Sequence, residues 1–233
     1  MVSGTESGAE AIRNISELWL PLTEEQRKLL TDNVTLRRYR KNDIIYHENE
    51  TPSHLFCLLE GKVKIYKEGV GGRQQIVRMA TLNEFFGYRA GLANTDYITE
   101  AAAFEDTTVC MIPIGVIKQL IAENQHIALY FIQHLAQLLG HADEHTVNLT
   151  QKHLRGRLAE AILRMKDNFG TEDDGLTLAI APSREDLANL SNMTTSNAIR
   201  TLSSFVSEGL IATDGRRITI QDEQQLRQIS AMG

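Results

Sequence analysis

Residues 183–202, which read SREDLANLSNMTTSNAIRTL, decide the fold of the C-terminal part of this chain. Leu187 and Leu190 mark a first amphipathic helix that ends at a polar break, and Asn192 in that break suits the left-handed backbone of a tight turn. A second helix follows, because apolar residues recur at i, i+4 and i+7: Ala198, Leu202 and Phe205. This pattern indicates a helix-turn-helix, whose second helix enters the major groove of DNA. An ordinary helical hairpin with a polar outer face is the alternative.

The second helix presents the candidate DNA contacts once its apolar side is buried. They are Thr195, Ser196, Asn197, Ile199, Arg200 and Ser203. Ser183 and Arg184, at the start of the first helix, are candidates for contacts that position the DNA backbone. Residues 210–213 and 217–220 are β-type runs around an Asp-Gly hairpin signal, so a winged helix is predicted. Arg216 and Arg217 at the wing tip are either phosphate contacts or solvated turn residues.

Composition limits the possible functions of the chain. The net charge of −6 argues against a general polyanion-binding protein, so a DNA surface has to be a local basic face. No long apolar run or signal peptide is apparent, which makes the cytoplasm the expected compartment and a membrane an unexpected partner. No common catalytic motif occurs, and we do not expect an enzyme. Cys57 and Cys110 lie in apolar runs and are expected to be buried thiols.

The region from residue 34 to residue 113 has the pattern of an all-β domain. Short β-type runs at 44–46, 55–59, 63–66, 75–77, 101–104 and 107–112 alternate with glycine-rich or polar turns. Many short strands with such turns predict an antiparallel sandwich or a jelly-roll barrel. Before it, we expect a loose tail over residues 1–14 and a short helix opened by a capping box at Thr23.

After Pro113 the apolar period becomes helical. Advances of 4, 3, 4, 3 and 4 residues predict a coiled-coil seam at Phe131, Leu135, Leu138, Ala142, His145 and Leu149. The helix of residues 126–150 is therefore expected to pair with a second copy of itself, the alternative being a helix that lies on its own barrel. A further helix is predicted over 154–169. The overall expectation is an α+β chain with a tail (1–14), an effector domain (15–122), a dimerisation helix (123–150) and a winged helix (151–233).

This order of elements resembles the CRP/FNR family, the bacterial regulators that include the cyclic-AMP receptor protein and the fumarate–nitrate regulator. The matching segments are residues 41–46, 55–66, 84–87, 109–113 and 183–220. The resemblance covers nearly the whole chain beyond residue 15, and the order and spacing of the segments are more specific than any one of them. It implies a cyclic-nucleotide-binding-like barrel joined to a winged helix, acting as a homodimer on a pseudo-palindromic operator, with RNA polymerase as a further partner.

The resemblance also implies which side chains read DNA. In the family, a Glu and an Arg one turn apart on the recognition helix read a half-site that contains G·C. Arg200 stands at the Arg position, where a guanidinium fits guanine O6 and N7, and a phosphate contact or an ion pair within the protein is its alternative role. Ser196 stands at the Glu position. Because Ser lacks the carboxylate that accepts a hydrogen bond from cytosine N4, we expect a different half-site.

The effector pocket implied by the resemblance lacks a cation. Family members that bind cyclic AMP use a Gly-Glu pair for the ribose and an Arg with Ser or Thr for the phosphate. The corresponding residues here are Glu84, Phe86, Gly87, Arg89, Asp96 and Tyr97. Asp96 and Tyr97 occupy the region of the phosphate-binding Arg, and Arg89 comes seven residues too early. Since a carboxylate repels a phosphodiester, cyclic AMP is not expected to bind.

The sequence contains few residues that could hold the other cofactors known in the family. Cys110 matches the barrel cysteine of the oxygen-sensing branch, but residues 1–33 hold no cysteine, so no iron–sulfur cluster is expected. Haem remains open, with His134, His141 and His145 or the barrel's His47, Met79 and Met111 as axial ligands. The three helix histidines are alternatively interface residues, and no metal ligand set is predicted. We expect a DNA-binding regulator with an unidentified signal, the alternatives being a haem- or redox-sensing relative or a non-DNA ligand-binding barrel with a helical dimerisation module.

Overall fold

A computed structural model describes residues 8, 10, 12, 13 and 15–233 of the chain. It consists of two compact units, one formed by the described part of Met1–Lys67 with Val77–Leu139, the other by Glu68–Ile76 with Gly140–Gly233. Most of the predicted tail, residues 1–14, lies outside the described residues. Ile12 is described and is fully buried, so the prediction of a loose tail is wrong at that residue. No helix in the described part of the chain has the length and apolar character needed to cross a membrane.

The first unit contains two four-stranded sheets flanked by helices. Its elements are α1 (Ser16–Trp19), α2 (Glu24–Asn33), β1 (Thr35–Tyr39), β2 (Ile44–Tyr46), β3 (His54–Glu60), β4 (Val63–Glu68), β5 (Gln74–Ala80), β6 (Phe85–Phe86), α3 (Tyr88–Ala93), β7 (Glu100–Ala103), β8 (Thr107–Pro113) and α4 (Ile114–Glu123). The strand orders are β1-β8-β3-β6 and β2-β7-β4-β5. The predicted barrel is confirmed, and the predicted capping box at Thr23 opens α2.

Stacked aromatic rings fill the space between the two sheets. The rings of Tyr46 and Tyr97 stack at a centroid distance of 3.9 Å, and the ring of Phe56 stacks on Phe86 at 5.2 Å. Tyr46 also stacks on Phe56 at 6.0 Å, so the four rings form one continuous series. Each of these side chains is buried. Because such rings bury large areas and prefer offset contacts, the series gives the barrel a dry and closely packed interior.

A second hydrophobic core, which we call the outer core, lies between the outer face of the β1-β8-β3-β6 sheet and the helices. Cys57 on β3 and Cys110 on β8 are register partners and belong to this core, together with residues of α2, α4 and the helix that follows α4. Both thiols are free and fully buried. Burial raises the pKa of Cys57 to about 12 and raises the pKa of Cys110 as well. The expectation of buried structural thiols is therefore confirmed.

The long helix α5 (Gln125–Gln151) follows, close to the predicted bounds, but the predicted seam is wrong in its first half. Phe131 is buried in its own barrel, 5.3 Å from the ring of Tyr88, and Leu135 and Leu138 pack against the same core. The opposite side of the helix carries the exposed apolar residues Leu129, Ile132, Ala136 and Leu139, which we call the outer stripe. The first half of the 4-3 repeat thus faces the barrel, where the ring of Phe131 packs against Tyr88.

The second unit contains the last turns of α5 and a winged helix. Its further elements are α6 (Leu154–Phe169), α7 (Arg184–Leu190), α8 (Thr195–Ser207), β9 (Ile211–Asp214), β10 (Arg217–Ile220) and α9 (Glu223–Met232). Helix α6, which has the predicted bounds, packs against α7, α8 and α9. Strands β9 and β10 pair antiparallel with Asp214 opposite Arg217, as the Asp-Gly signal predicts. The predicted helix-turn-helix and hairpin are both present.

We expect Gly87→Ala to destabilise the barrel by about 1–3 kcal/mol, since a non-glycine residue is strained at a positive φ. Gly87 has a φ of +78°, and a Cβ atom there would lie 2.6 Å from Cδ2 of Phe56. Urea unfolding followed by fluorescence of Trp19, the single tryptophan, measures the change, because Trp19 packs against the outer core.

Gly115→Ala is the matched control for Gly87→Ala. Gly115 lies in α4, and a Cβ atom there meets nothing within 4 Å. We expect this change to be neutral or stabilising by up to ~1 kcal/mol, because alanine is the better helix former. Equal destabilisation by both changes would contradict the packing described for Gly87.

Candidate DNA-binding interface

The first helix of the motif begins at a complete capping box. The Ser183 hydroxyl accepts a hydrogen bond from the backbone N–H of Asp186 at 3.0 Å, and the Asp186 carboxylate accepts from the backbone N–H of Ser183 at 3.0 Å. The Ser183 hydroxyl also donates to that carboxylate at 2.6 Å. This arrangement fixes the start of α7. Ser183, which the sequence suggested as a DNA contact, is thus already engaged in capping the helix.

A tight turn connects α7 to α8. Asn192 has a φ of +49°, the left-handed conformation that was predicted for it. The backbone N–H of Met193 donates to Ala188 O at 3.0 Å, and the Ser191 hydroxyl donates to Leu187 O at 2.7 Å. These bonds satisfy groups that the end of α7 would otherwise leave unpaired.

Helix α8 buries one side and exposes the other, as its period predicts. Ala198, Leu202 and Phe205 are buried against the rest of the unit. The exposed side carries Thr195, Ser196, Ile199, Arg200 and Ser203, which we call the reading face. Asn197 lies at its edge and is half-buried. The residues that the amino-acid sequence suggested as DNA contacts on this helix therefore share one exposed surface.

Arg200 is the cation of the reading face. Its Nη2 donates to Oδ1 of Asn197, one turn earlier, at 2.6 Å, and no ion pair with a carboxylate is seen among the described residues. Since a guanidinium has five N–H donors, the contact with Asn197 leaves donors for a ligand while restricting the side chain. The alternative of an ion pair within the protein therefore finds no support, whereas a base or phosphate contact remains open to Arg200.

The wing is tied to the helix-turn-helix by Arg184. Its Nη2 donates to Gly215 O at the tip of the β9–β10 hairpin, at 3.0 Å. Arg217 is paired with Glu172, whereas Arg216 is exposed and makes no ion pair among the residues that the structure describes. Of the two arginines at the tip, Arg216 is thus the one that is free to reach a phosphate. Arg184 positions the wing, a role that its sequence position alone did not reveal.

Other basic residues of the unit are occupied by partners within the chain. Lys152 pairs with Glu160 at 2.9 Å, and Arg157 donates to Leu149 O at 3.0 Å. Arg155 forms a two-pronged pair with Glu208, at 2.8 and 2.6 Å, while its guanidinium lies 4.9 Å from the ring centroid of Phe205. Hydrogen bonds from Arg155 and Ser204 lower the pKa of Glu208 to about 2. These side chains hold α6 to its neighbours. Among the described residues, Arg200 on the reading face of α8 and Arg216 at the wing tip are the cations that face outward at these two elements.

Three of the predicted effector-pocket residues belong to the aromatic interior of the barrel, and the other three lie outside it. Tyr97 is buried in the aromatic series, Phe86 belongs to the same series, and Gly87 lies against Phe56 and Tyr97. Glu84 instead accepts hydrogen bonds from Arg78 at 2.6 Å and from the backbone of Thr81 at 2.8 Å.

Asp96 and Arg89 of that pocket are exposed, and Asp96 accepts from the Thr51 hydroxyl at 2.8 Å. The six residues therefore differ in exposure, from the buried Phe86 and Tyr97 to the exposed Arg89 and Asp96. The Glu84 carboxylate is already paired with Arg78.

The histidines of α5 differ in their surroundings. The ring of His134 lies 4.5 Å from that of Tyr130, and His141 is exposed. Nδ1 of His145 lies 3.0 Å from Nη1 of Arg164 and accepts its hydrogen bond, since an arginine only donates. Burial and the Arg164 charge lower the pKa of His145, which favours the neutral ring, and the accepting Nδ1 places the proton of that neutral ring on Nε2. No cluster of three or more His, Cys, Asp or Glu side chains suited to a metal occurs among the described residues.

The winged helix and its exposed reading face define a DNA-binding transcription regulator with a cyclic-nucleotide-binding-like barrel. Family models match both parts: the cyclic nucleotide-binding domain over residues 36–124 and the Crp-like helix-turn-helix domain over residues 156–229. The chain belongs to the CRP/FNR family of transcription regulators.

Curated relatives extend the likeness over most of the chain. The fumarate and nitrate reduction regulatory protein of Escherichia coli K12 is 23% identical, covering 97% of this chain and 93% of its own length. The CRP-like cAMP-activated global transcriptional regulator of Mycobacterium tuberculosis H37Rv is 21% identical, covering 81% of this chain and 84% of its own. Among solved structures, FixK2 from Bradyrhizobium japonicum is 25% identical with a TM-score of 0.76, covering 84% of this chain and 96% of that one.

Proposed function

We propose that this regulator acts as a homodimer on a two-fold-related DNA operator, placing one α8 helix in the major groove of each half-site. The reading face carries the proposal, because it exposes Arg200 beside short polar side chains on a helix whose other side is buried. A guanidinium in the major groove pairs with guanine O6 and N7. Such a regulator works in the bacterial cytoplasm, where its operator and RNA polymerase are found.

The outer stripe of α5 supports the homodimer. Leu129, Ile132, Ala136 and Leu139 advance by three, four and three residues, which keeps them on one side of a helix. Leu129, Ile132 and Leu139 are all more than half exposed. A second copy of the same helix is self-complementary to such a stripe under two-fold symmetry. We propose the outer stripe as the dimer interface, in place of the seam that the 4-3 repeat predicted.

We propose further that cyclic AMP is not the signal. The cyclic phosphate needs a placed cation, and Arg78 is already paired with Glu84, while Asp96 adds a carboxylate at the rim. The stacked rings of Tyr97 and Tyr46 fill the interior at this level of the barrel. The barrel residues therefore do not fit a cyclic nucleotide.

His145 fits a haem ligand poorly, and the two cysteines fit an iron–sulfur cluster poorly. A metal-binding histidine normally donates its second ring N–H to an acceptor, whereas Nδ1 of His145 accepts from the Arg164 cation. We therefore propose that His145 is a structural contact between helices. Cys57 and Cys110 are buried with raised pKa values, and two thiols fall short of the four that an ordinary cluster takes.

Arg200→Ala should weaken operator binding by about 1–3 kcal/mol and relax the preference at one base pair of each half-site, because a bidentate contact with guanine is lost. The half-site centres should lie about 34–36 Å apart, one helical turn. Selection from random duplexes followed by gel shifts of wild type and variant measures both quantities.

Arg216→Ala serves as the comparison for Arg200→Ala. Because Arg216 is expected to contact a phosphate at the wing, its removal in Arg216→Ala should weaken binding evenly for all sequences. It should also lower the salt dependence of log K by about 1. If Arg200→Ala behaves in the same way, Arg200 contacts phosphate and its assignment to a base is wrong.

Leu139→Asp should convert the dimer to monomers and abolish operator binding, because two carboxylates would be buried at the paired outer stripes. Sedimentation velocity gives the oligomeric state. Gln137→Asp is the matched control, since Gln137 is exposed on α5 away from the stripe. A dimeric Leu139→Asp protein would show that the stripe is not the interface.

Calorimetric titration with cyclic AMP should give no saturable heat, for want of a free cation at the phosphate position. A cyclic-AMP-activated relative titrated in the same buffer provides the positive control. Saturable binding in the micromolar range would overturn this part of the proposal.

A further inference from the structure

Ile199 is a large apolar side chain at the centre of the reading face. It is 46% exposed, whereas Leu202 and Phe205 on the other side of the same helix are buried. Single exposed apolar residues are common on protein surfaces and need no special explanation. The position of Ile199 on α8 and the size of its neighbours are what distinguish it.

The neighbours of Ile199 along the helix surface are short. Ser196 lies at i−3 and Ser203 at i+4, the positions that flank a residue directly above and below on a helix. Both are exposed serines that rise little above the backbone. Ile199 therefore projects beyond them, and its β-branched side chain is held near one χ1 rotamer in a helix. The result is a rigid apolar knob in the surface that the helix offers to a DNA groove.

The floor of the major groove offers one apolar group for such a knob. Thymine carries a C5-methyl group, whereas the other bases present hydrogen-bond donors and acceptors at their edges. Placed over those polar edges, Ile199 would remove water from them without replacing a hydrogen bond. Placed against the methyl group of thymine, it buries apolar surface on both sides.

We propose that Ile199 is a specificity-determining residue that reads a thymine of the half-site by contact with its C5-methyl group. This inference rests on the proposed function, since it takes α8 to lie in the major groove. Residues 199 and 200 are adjacent in the helix, so the thymine should lie within one or two base pairs of the guanine that Arg200 reads. Ser196, at the position where the family has a Glu, leaves room for this apolar contact.

The test removes only the methyl group. A selected operator is made with uracil in place of each thymine in turn, and the affinities of wild type and Ile199→Ala are measured by gel shift. At one thymine per half-site, wild type should lose about four-fold in affinity for each methyl group removed. Ile199→Ala should bind the thymine operator more weakly by a similar factor and should not respond to uracil at that position.

Val206→Ala is the control variant. Val206 is exposed to a similar extent and lies two turns after Ile199, away from the N-terminal part of a recognition helix that contacts bases. It should keep the full response to uracil.

Three results would decide against the inference. The first is a wild type that is unaffected by uracil at every thymine, and the second is an Ile199→Ala variant that responds to uracil as wild type does, so that another group reads the methyl. Binding of no duplex by the folded wild-type dimer would instead refute the proposed function itself, and the inference with it.

Discussion

The two opposite apolar sides of α5 are the constraint on which the rest of the molecule depends. On one side, Phe131 is buried in the outer core of the barrel and Leu138 packs against it, so the helix cannot rotate without opening that core. On the other side, Ile132 and Leu139 remain exposed. A helix fixed in rotation by its own barrel presents its second side in a defined direction, which is the side proposed to meet a second copy. The same helix therefore completes the core of the barrel and carries the surface of the proposed dimer.

Polar contacts carry this constraint onward within the second unit. Arg164 of α6 donates to His145, and Glu160 of α6 accepts from Asn148 at 2.8 Å and from Lys152 at 2.9 Å, so α6 is held against the last turns of α5. Arg155, also on α6, then holds the end of α8. These pairs are partly exposed, and each contributes little stability when it stands alone. Their effect is on position, because they set where the reading face lies relative to the last turns of α5, within the second unit.

The sequence predicted most of the fold because its local signals agree with its packing. The capping box at Thr23, the turn at Asn192 and the Asp-Gly hairpin are local features, and each is present where it was expected. The side of α5 that faces the barrel was not predictable in this way. Both sides of that helix have apolar residues at helical spacing, and only the gap beside Phe85 and Tyr88 selects the one with Phe131.

For the site, sequence reasoning identified the reading face but not the partners of its basic residues. Arg184 and Gly215 are 31 residues apart, and Arg155 and Glu208 are 53 apart, so only the fold brings them together.

The reading face shows how one substitution changes what a neighbouring residue can do. A carboxylate at position 196 would require a cytosine amino group to satisfy it in a dehydrated groove, and it would draw the guanidinium of Arg200 towards itself. Ser196 makes no such demand, and Arg200 turns instead to the neutral amide oxygen of Asn197. With less charge on the face, an apolar side chain at position 199 no longer lies beside an ion pair that needs water. Under the proposed function, Ser196 at the family's Glu position therefore leaves room for recognition by apolar contact.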